Sequence, residues 1–327
     1  MMPPDDKTPP GYMLPTPSPF ERWVKVPLRH VLYPHYLRLV NFLLRRHYEP
    51  LGNLDVDQWY WGDRGLEYSR QRMKNPASLT EVRGKSVLVA GCGTGQDIPW
   101  WVPYQPSRIL GVDYFNYRRA WDLLIRAYGK TVPISFIQGD LQRLESIGDQ
   151  AFDIVGSDAV LEHLQNLPKA LREFYRILRP TGILYASFGP LWYCWGGDHV
   201  SGYDDKASGY NHLVLKGQAY EDYVDGAGEF SHSENDGRTW IKNYMFSYLT
   251  PHEYLAALAD AGFERVHLGV VLEPRAEECL RRNPKLKARL TTEFGEIDLL
   301  VKGMIIVYRK PDPGLSLTSP PTREERC

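Results

Sequence analysis

From residue 87 to residue 188, short apolar runs alternate with stretches of helical periodicity, and the runs stop at glycine or aspartate. The runs are Val-Leu-Val-Ala (87–90), "RILGVD" (108–113), "PISFIQGD" (133–140), "FDIVGS" (152–157) and "ILYASF" (183–188). Between them, a short helix is predicted near 96–102, a longer one over 115–129, and a third ending near Leu178 and closed by Pro180 and Gly182. Apolar runs too short for helices, spaced by amphipathic helices, are the pattern of βαβ units. The fold class read from this is α/β, a Rossmann-like parallel sheet. Two further strands, 265–271 and 304–310, flank a helical insert around 274–291. They lack an ordinary crossover helix, which predicts an antiparallel strand at the end of the sheet.

In such a sheet, ligands bind beyond the carboxyl ends of the strands, so the residues there are informative. The first strand runs into Gly91-Cys92-Gly93-Thr94-Gly95, a turn in which backbone N–H groups can approach a ligand with no Cβ in the way. Asp113 ends the second strand, where a carboxylate can accept from a ribose diol. Asp140 and Leu141 follow the third strand, and Ser157-Asp158 ends the fourth. Singly, strand-end aspartates cap helices. In register along successive strands, they describe a nucleoside carrying an amino-acid arm. A dinucleotide fingerprint fails here: GxGxxG needs a glycine where Gln96 or Ile98 stands.

Together these residues resemble the class I S-adenosylmethionine-dependent methyltransferases. "SDAVLEHLQNLPKALREFYRILRPTGILYASF" is similar to that family's fourth and fifth strand region, and "GFERVHLG…MIIVYRK" to its closing β-hairpin. The resemblance covers roughly 85–190 and 250–310. It implies S-adenosylmethionine as cofactor, with Gly91, Cys92, Gly93 and Gly95 around the methionine end, Asp113 and Tyr114 at the ribose, Asp140 and Leu141 at the adenine, and Ser157 beside the amino-acid arm. Val89-Ala90-Gly91 departs from the family's Asp/Glu–x–Gly, so Asp97 is a substitute for recognition of the methionine ammonium.

The resemblance also implies an acceptor beyond strand five, under residues 190–249. That insertion is rich in glycine, tyrosine, tryptophan and histidine and shows little periodicity. A loop of such length in a compact domain reads as a lid. His199 and His212 are the general-base candidates for an O- or N-acceptor, because a neutral imidazole is available near pH 7. The alternative for His199 is a loop histidine fixing the lid. His163, in Leu161-Glu162-His163-Leu164, is a third candidate, with a structural role as its alternative. Trp192, Tyr193 and Tyr210 suggest an aromatic acceptor pocket, or simply lid packing. Asp198, His199, Asp204 and His212 match no standard metal spacing, so no metal is expected.

The remaining chain reads as a proline-rich disordered segment at 1–20, a helical cap over 21–84, the methyltransferase domain over 85–310 and a disordered tail at 311–327. Residues 28–47 form a basic amphipathic pattern that packs on the domain or touches a membrane surface peripherally. Tyr60, Trp61 and Tyr68 are expected to close over the cofactor. No apolar run reaches the ~18 residues of a membrane span, and the start lacks the pattern of a secretory signal. Cys92, Cys194, Cys279 and Cys327 form no CxxC pair, which fits reduced thiols and a cytoplasmic protein. A formal net charge of −1 argues against a nucleic-acid partner. The expected function is S-adenosylmethionine-dependent methylation of a small molecule; the alternatives are a catalytically inactive cofactor-binding partner protein and a protein or RNA methyltransferase.

Overall fold

The computed structural model describes residues 81–95, 97–202, 206–226 and 237–314. The expectations for 1–20, 28–47, Tyr60, Trp61, Tyr68, Asp204, Cys327 and most of the cap and tail lie outside the described residues. Seven strands form one sheet in the order β3-β2-β1-β4-β5-β7-β6. They are β1 (Ser86–Ala90), β2 (Arg108–Asp113), β3 (Ile134–Gln138), β4 (Phe152–Asp158), β5 (Leu178–Phe188), β6 (Glu264–Leu272) and β7 (Val301–Arg309). The first five are parallel, and β7 runs antiparallel between β5 and β6. The chain leaves β1 toward β2 and β3, then returns to the other side of β1 for β4. The crevice at this reversal is the natural ligand position of an open α/β sheet.

Strand β1 is buried along its whole length, as its unbroken apolar run requires. Leu88 and Ala90 join the core formed with α3 (Leu167–Ile177) and α7 (Pro251–Asp260). Val87 and Val89 face the opposite core, with Ile98 and Trp101 of α1 (Ile98–Trp101) and Trp121 and Leu124 of α2 (Arg118–Tyr128). Burial of both faces fixes the register of β1, and with it the position of the glycine turn. The predicted capping box opens α7: Thr250 accepts from the Glu253 N–H, and Glu253 reaches back to the Thr250 N–H at 2.7 Å.

Three local expectations are corrected. The helix expected after β4 is divided: Leu161–His163 make a 3-10 turn, and α3 starts later, with the Asn166 side chain accepting from the Lys169 N–H. The cap and Pro168 suit Leu167 as a helix start, so Leu164 joins the core from outside any helix. Pro180 and Gly182 do not form a loop; β5 begins at Leu178, and a register shift opposite Phe152 absorbs them. The stretch 190–249 is not without structure. It contains a 3-10 turn (Lys206–Tyr210) and short helices α4 (Asn211–Val214), α5 (Gln218–Gly226) and α6 (Gly237–Lys242).

Much of this insertion packs on the helices between β6 and β7, which are α8 (Pro274–Arg282), α9 (Pro284–Leu290) and α10 (Glu296–Leu300). Cys194, Trp195, Tyr210 and Leu213 share a separate small core with Ala276, Cys279, Leu280, Leu290 and Leu299. The Arg275 guanidinium lies 4.0 Å from the Trp195 ring centre. It also binds Glu273, a buried carboxylate that meets Lys302 at 2.9 Å. These two cations hold the Glu273 carboxyl down at about 2 against the opposing effect of burial.

Candidate functional site

At the carboxyl end of β1, the chain turns through Gly91, Gly93 and Gly95 with φ of +69°, +51° and +93°. The Gly91 and Cys92 N–H groups donate to the Val112 carbonyl, pinning the turn against β2. A Cβ on Gly91 would lie 2.2 Å from Val160 Cγ2, so the loop after β4 presses directly on the turn. A Cβ on Gly93 would meet nothing within 4 Å. Gly93 therefore borders open space, as a backbone that receives a ligand must. Thr94 has a buried hydroxyl with no hydrogen-bond partner in this turn, a group a bound ligand could satisfy. The Cys92 side chain belongs to the core beneath the turn.

Asp113 is 8% exposed at the end of β2. Its Oδ2 accepts from the Gly93 N–H at 2.7 Å and its Oδ1 from the Phe115 N–H at 2.9 Å. Burial pushes its carboxyl up to about 6, partly offset by these donors. Each carboxylate oxygen retains acceptor capacity for a diol. Tyr114 follows, its carbonyl accepting from the Gln138 side chain. Asp140 Oδ1 accepts from the Gln142 N–H at 2.8 Å, and Leu141 is buried in the core behind it. The Ser157 hydroxyl donates to the Ala90 carbonyl at 3.1 Å, tying the ends of β4 and β1 together.

Beyond this cradle lies a ring of aromatic and imidazole groups that the sequence pattern did not assemble. His163 stacks on Trp240 of α6 at 4.6 Å between ring centres, and Trp240 meets Phe115 at 6.3 Å. Phe115 lies two residues after Asp113 and donates its N–H to it, so this chain of contacts joins the cradle to the insertion. His199 lies 4.9 Å from His163, and Phe246 touches both. Trp192 packs on Phe246 at 4.7 Å and on Tyr248 at 4.6 Å. His199 has φ of +62°, and its Nε2 is buried with no hydrogen-bond partner. Desolvation, with His163 and Lys302 nearby, lowers its pKa well below the ordinary imidazole value, so His199 is neutral near pH 7.

Other candidates stand apart from that ring. The His212 Nε2 donates to the Trp192 carbonyl at 2.7 Å, and the side chain is fully enclosed behind Trp192. Asp198 accepts from the Val200 and Ser201 N–H groups and from the Ser201 and Tyr220 hydroxyls. It organises the loop that carries His199. Tyr210 donates to the Leu299 carbonyl inside the insertion's own core, and Tyr193 donates to the Tyr248 carbonyl while packing on Phe294. Trp240 and Phe246 were missed because they lie far along the chain in segments without periodicity. Tertiary folding alone makes them neighbours of His163. Among the described residues, no group of three or more His, Cys, Asp or Glu is arranged to hold a metal ion, and no helix is long and apolar enough to cross a membrane.

A family model described as a methyltransferase domain matches residues 88–186. A malonyl-[acyl-carrier protein] O-methyltransferase of Yersinia pestis is 35% identical over 104 residues, covering 32% of this chain and 36% of that protein. A sterol 24-C-methyltransferase of Aspergillus fumigatus is 26% identical over 155 residues, covering 43% of this chain and 40% of that protein. The chain therefore spans well under half the length of these curated relatives. Among solved structures, an S-adenosylmethionine dependent methyltransferase from Mesorhizobium loti shares 20% identity, covering 75% of this chain and 99% of that one, with a TM-score of 0.47.

Proposed function

From the premise that this chain's central domain belongs to the class I S-adenosylmethionine-dependent methyltransferases, we propose that the protein methylates oxygen or nitrogen of a small-molecule acceptor. The observation that carries this reading is the junction of two features at one crevice: the Gly93 turn hydrogen-bonded to Asp113, and the ring of neutral imidazole and aromatic groups adjoining it. S-adenosylmethionine, when bound, supplies a methyl group on a positively charged sulfur. The backbone at Gly91, Cys92, Gly93 and Gly95 would hold its methionine end, Asp113 and Tyr114 its ribose, and Asp140 with Leu141 its adenine. Ser157 supports the floor of the site by joining β4 to β1.

What the chain contributes beyond binding is position and a proton acceptor. Alignment of two reactants supplies about 7–11 kcal/mol of a barrier, and the packed ring is suited to fixing an acceptor's approach. His199 is the proton acceptor in this proposal, and a positioned base is worth about 10²–10⁴-fold. Its neutrality leaves it able to take a proton from a hydroxyl or amine; a carboxylate acceptor would not need it. Trp192 is the pocket aromatic of this reading, while His212, Tyr193 and Tyr210 hold the insertion in shape around it. The relatives named as O-methyltransferases favour oxygen as the atom methylated. The buried thiols of Cys92, Cys194 and Cys279 are consistent with the cytoplasm as its compartment.

The test has two arms. Calorimetry should detect binding of S-adenosylmethionine and S-adenosylhomocysteine and none of NAD. Mass spectrometry of a cell extract incubated with protein and methyl-labelled cofactor should reveal a labelled small molecule. Absence of cofactor binding overturns the proposal. With an acceptor in hand, His199→Ala should lower kcat by about 10²-fold or more with cofactor affinity unchanged, and a rise in KM alone would remove the base role.

A further inference from the structure

Methyl transfer as proposed above uses one imidazole, yet the fold brings two together. His163 sits on the 3-10 turn directly beyond β4, where Val160 presses on the Gly91 turn. Its Nδ1 lies 3.0 Å from the Met245 carbonyl oxygen. A carbonyl only accepts, so Nδ1 carries the hydrogen and the neutral ring's lone pair is on Nε2. His199 arrives from the insertion and places its ring centre 4.9 Å away at an interplanar angle of 55°. Trp240 covers His163 and Phe246 packs against both rings, so little water separates them.

A second imidazole this close, in an enclosure, opposes protonation of His199. Of the other charged groups nearby, the cation acts in the same direction, and the two carboxylates are engaged by other donors. Lys302, on β7, adds positive potential at His199. The Glu162 carboxylate accepts from the Gly189 N–H, and Asp198 is engaged by Val200, Ser201 and Tyr220. Resting on the methyltransferase reading, we propose that His163 is a positioning residue for His199. Held by its Nδ1–H on Met245, it packs against His199, fixes that ring's orientation and sets its proton affinity. The proton taken from the acceptor's O–H or N–H resides on His199 and passes from it to water, leaving the protein unchanged after each turnover.

The test is a pH titration of the ¹⁵N-labelled protein, following the histidine ring nitrogens by NMR without cofactor. Wild-type His163 should show the Nδ1–H tautomer. His163→Asn retains an amide donor for the Met245 carbonyl but removes the second ring nitrogen; it should raise the His199 midpoint by about one pH unit. His163→Gln should raise it similarly, which keeps the result independent of how either variant packs. S-adenosylhomocysteine affinity should be unchanged in the asparagine variant, with melting lowered only by the lost ring packing; a purely structural His163 would lower melting without moving the His199 midpoint. A His199 midpoint that stays fixed in both variants, or an Nε2–H tautomer at His163, overturns the proposal. Failure of wild-type protein to bind S-adenosylhomocysteine would overturn the functional reading, while the titration would still decide the pair.

Discussion

With Asp113 as the ribose ligand proposed above, cofactor binding becomes a pH-dependent event of calculable size. Its carboxyl titrates at about 6 in the folded protein because burial disfavours the charge, against about 3.9 for a free aspartate. The folded chain therefore holds this proton more tightly than the unfolded chain. The resulting stabilisation, about 3 kcal/mol for two pH units, is complete below about pH 4 and is lost as pH rises through about 6. A ribose diol donating to the carboxylate favours the charged form and should return its pKa to about 4. Near pH 5 the free site is protonated roughly ten to one, so binding must expel that proton and is about tenfold weaker than near pH 7.5, or about 1.4 kcal/mol.

Calorimetry with S-adenosylhomocysteine, run in two buffers of different ionisation enthalpy, reads both affinity and proton release. Close to one proton should leave at the lower pH and almost none at the higher. Asp113→Asn should bind about ten- to a hundredfold more weakly near pH 7.5, through loss of charge-assisted hydrogen bonds, and its affinity should not vary over this range. That variant also separates Asp113 from His199, whose titration it leaves in place. Wild-type affinity that differs by less than about twofold between the two pH values would refute the ribose role and the linkage with it.

The two glycines of the turn should separate fold from ligand. Gly91→Ala places a methyl against Val160 and should lower the melting temperature clearly, whereas Gly93→Ala has open space and should cost only about 1–2 kcal/mol for its left-handed backbone while sharply weakening cofactor binding; equal melting losses would count against this division. Glu273, held down at about 2 by Arg275 and Lys302, stabilises the fold above about pH 4.5, and that contribution is lost as pH falls toward 2. Denaturant melts should therefore lose about 2 kcal/mol of acid-sensitive stability in Glu273→Gln, after discounting its half-exposed partners; an unchanged acid limb would argue against it. Thr250→Ala should cost about 1 kcal/mol by removing the cap of α7, and urea unfolding with an unchanged midpoint would exclude the cap as a stabilising element.

The parallel core of this protein is a local matter, and so it was readable from residues. Val87 to Ala90 are all apolar, as a strand buried on both faces requires, and the alternation of such runs with amphipathic helices points to a parallel sheet. Gly91, Gly93 and Asp113 mark the carboxyl ends of neighbouring strands, so their meeting at one crevice follows from strand order once β1 lies between β2 and β4. The capping box at Thr250 was likewise visible, since its two partners are three residues apart. The start of β5 was not. Pro180 and Gly182 have strong local turn preferences, and pairing with β4 overrides them through a register shift.

The arrangement of the insertion depended on tertiary structure throughout. Residues 190–249 carry no repeating apolar pattern; Cys194, Trp195, Tyr210 and Leu213 are buried against α8, α9 and α10, and Trp240 and Phe246 against His163, not by a face of their own. Composition cannot distinguish Tyr210, turned into that small core, from Trp192, which packs at the ring beside the crevice. Nor can it bring His163 to His199, or Trp240 to Phe115, since each pair is joined by long-range packing and shares no local spacing. The sequence alone determined which residues end the neighbouring strands around the crevice, because strand ends are set by short-range burial. Which imidazole joins His163 and Phe246, and which stands behind Trp192, was decided only by the packing of the insertion.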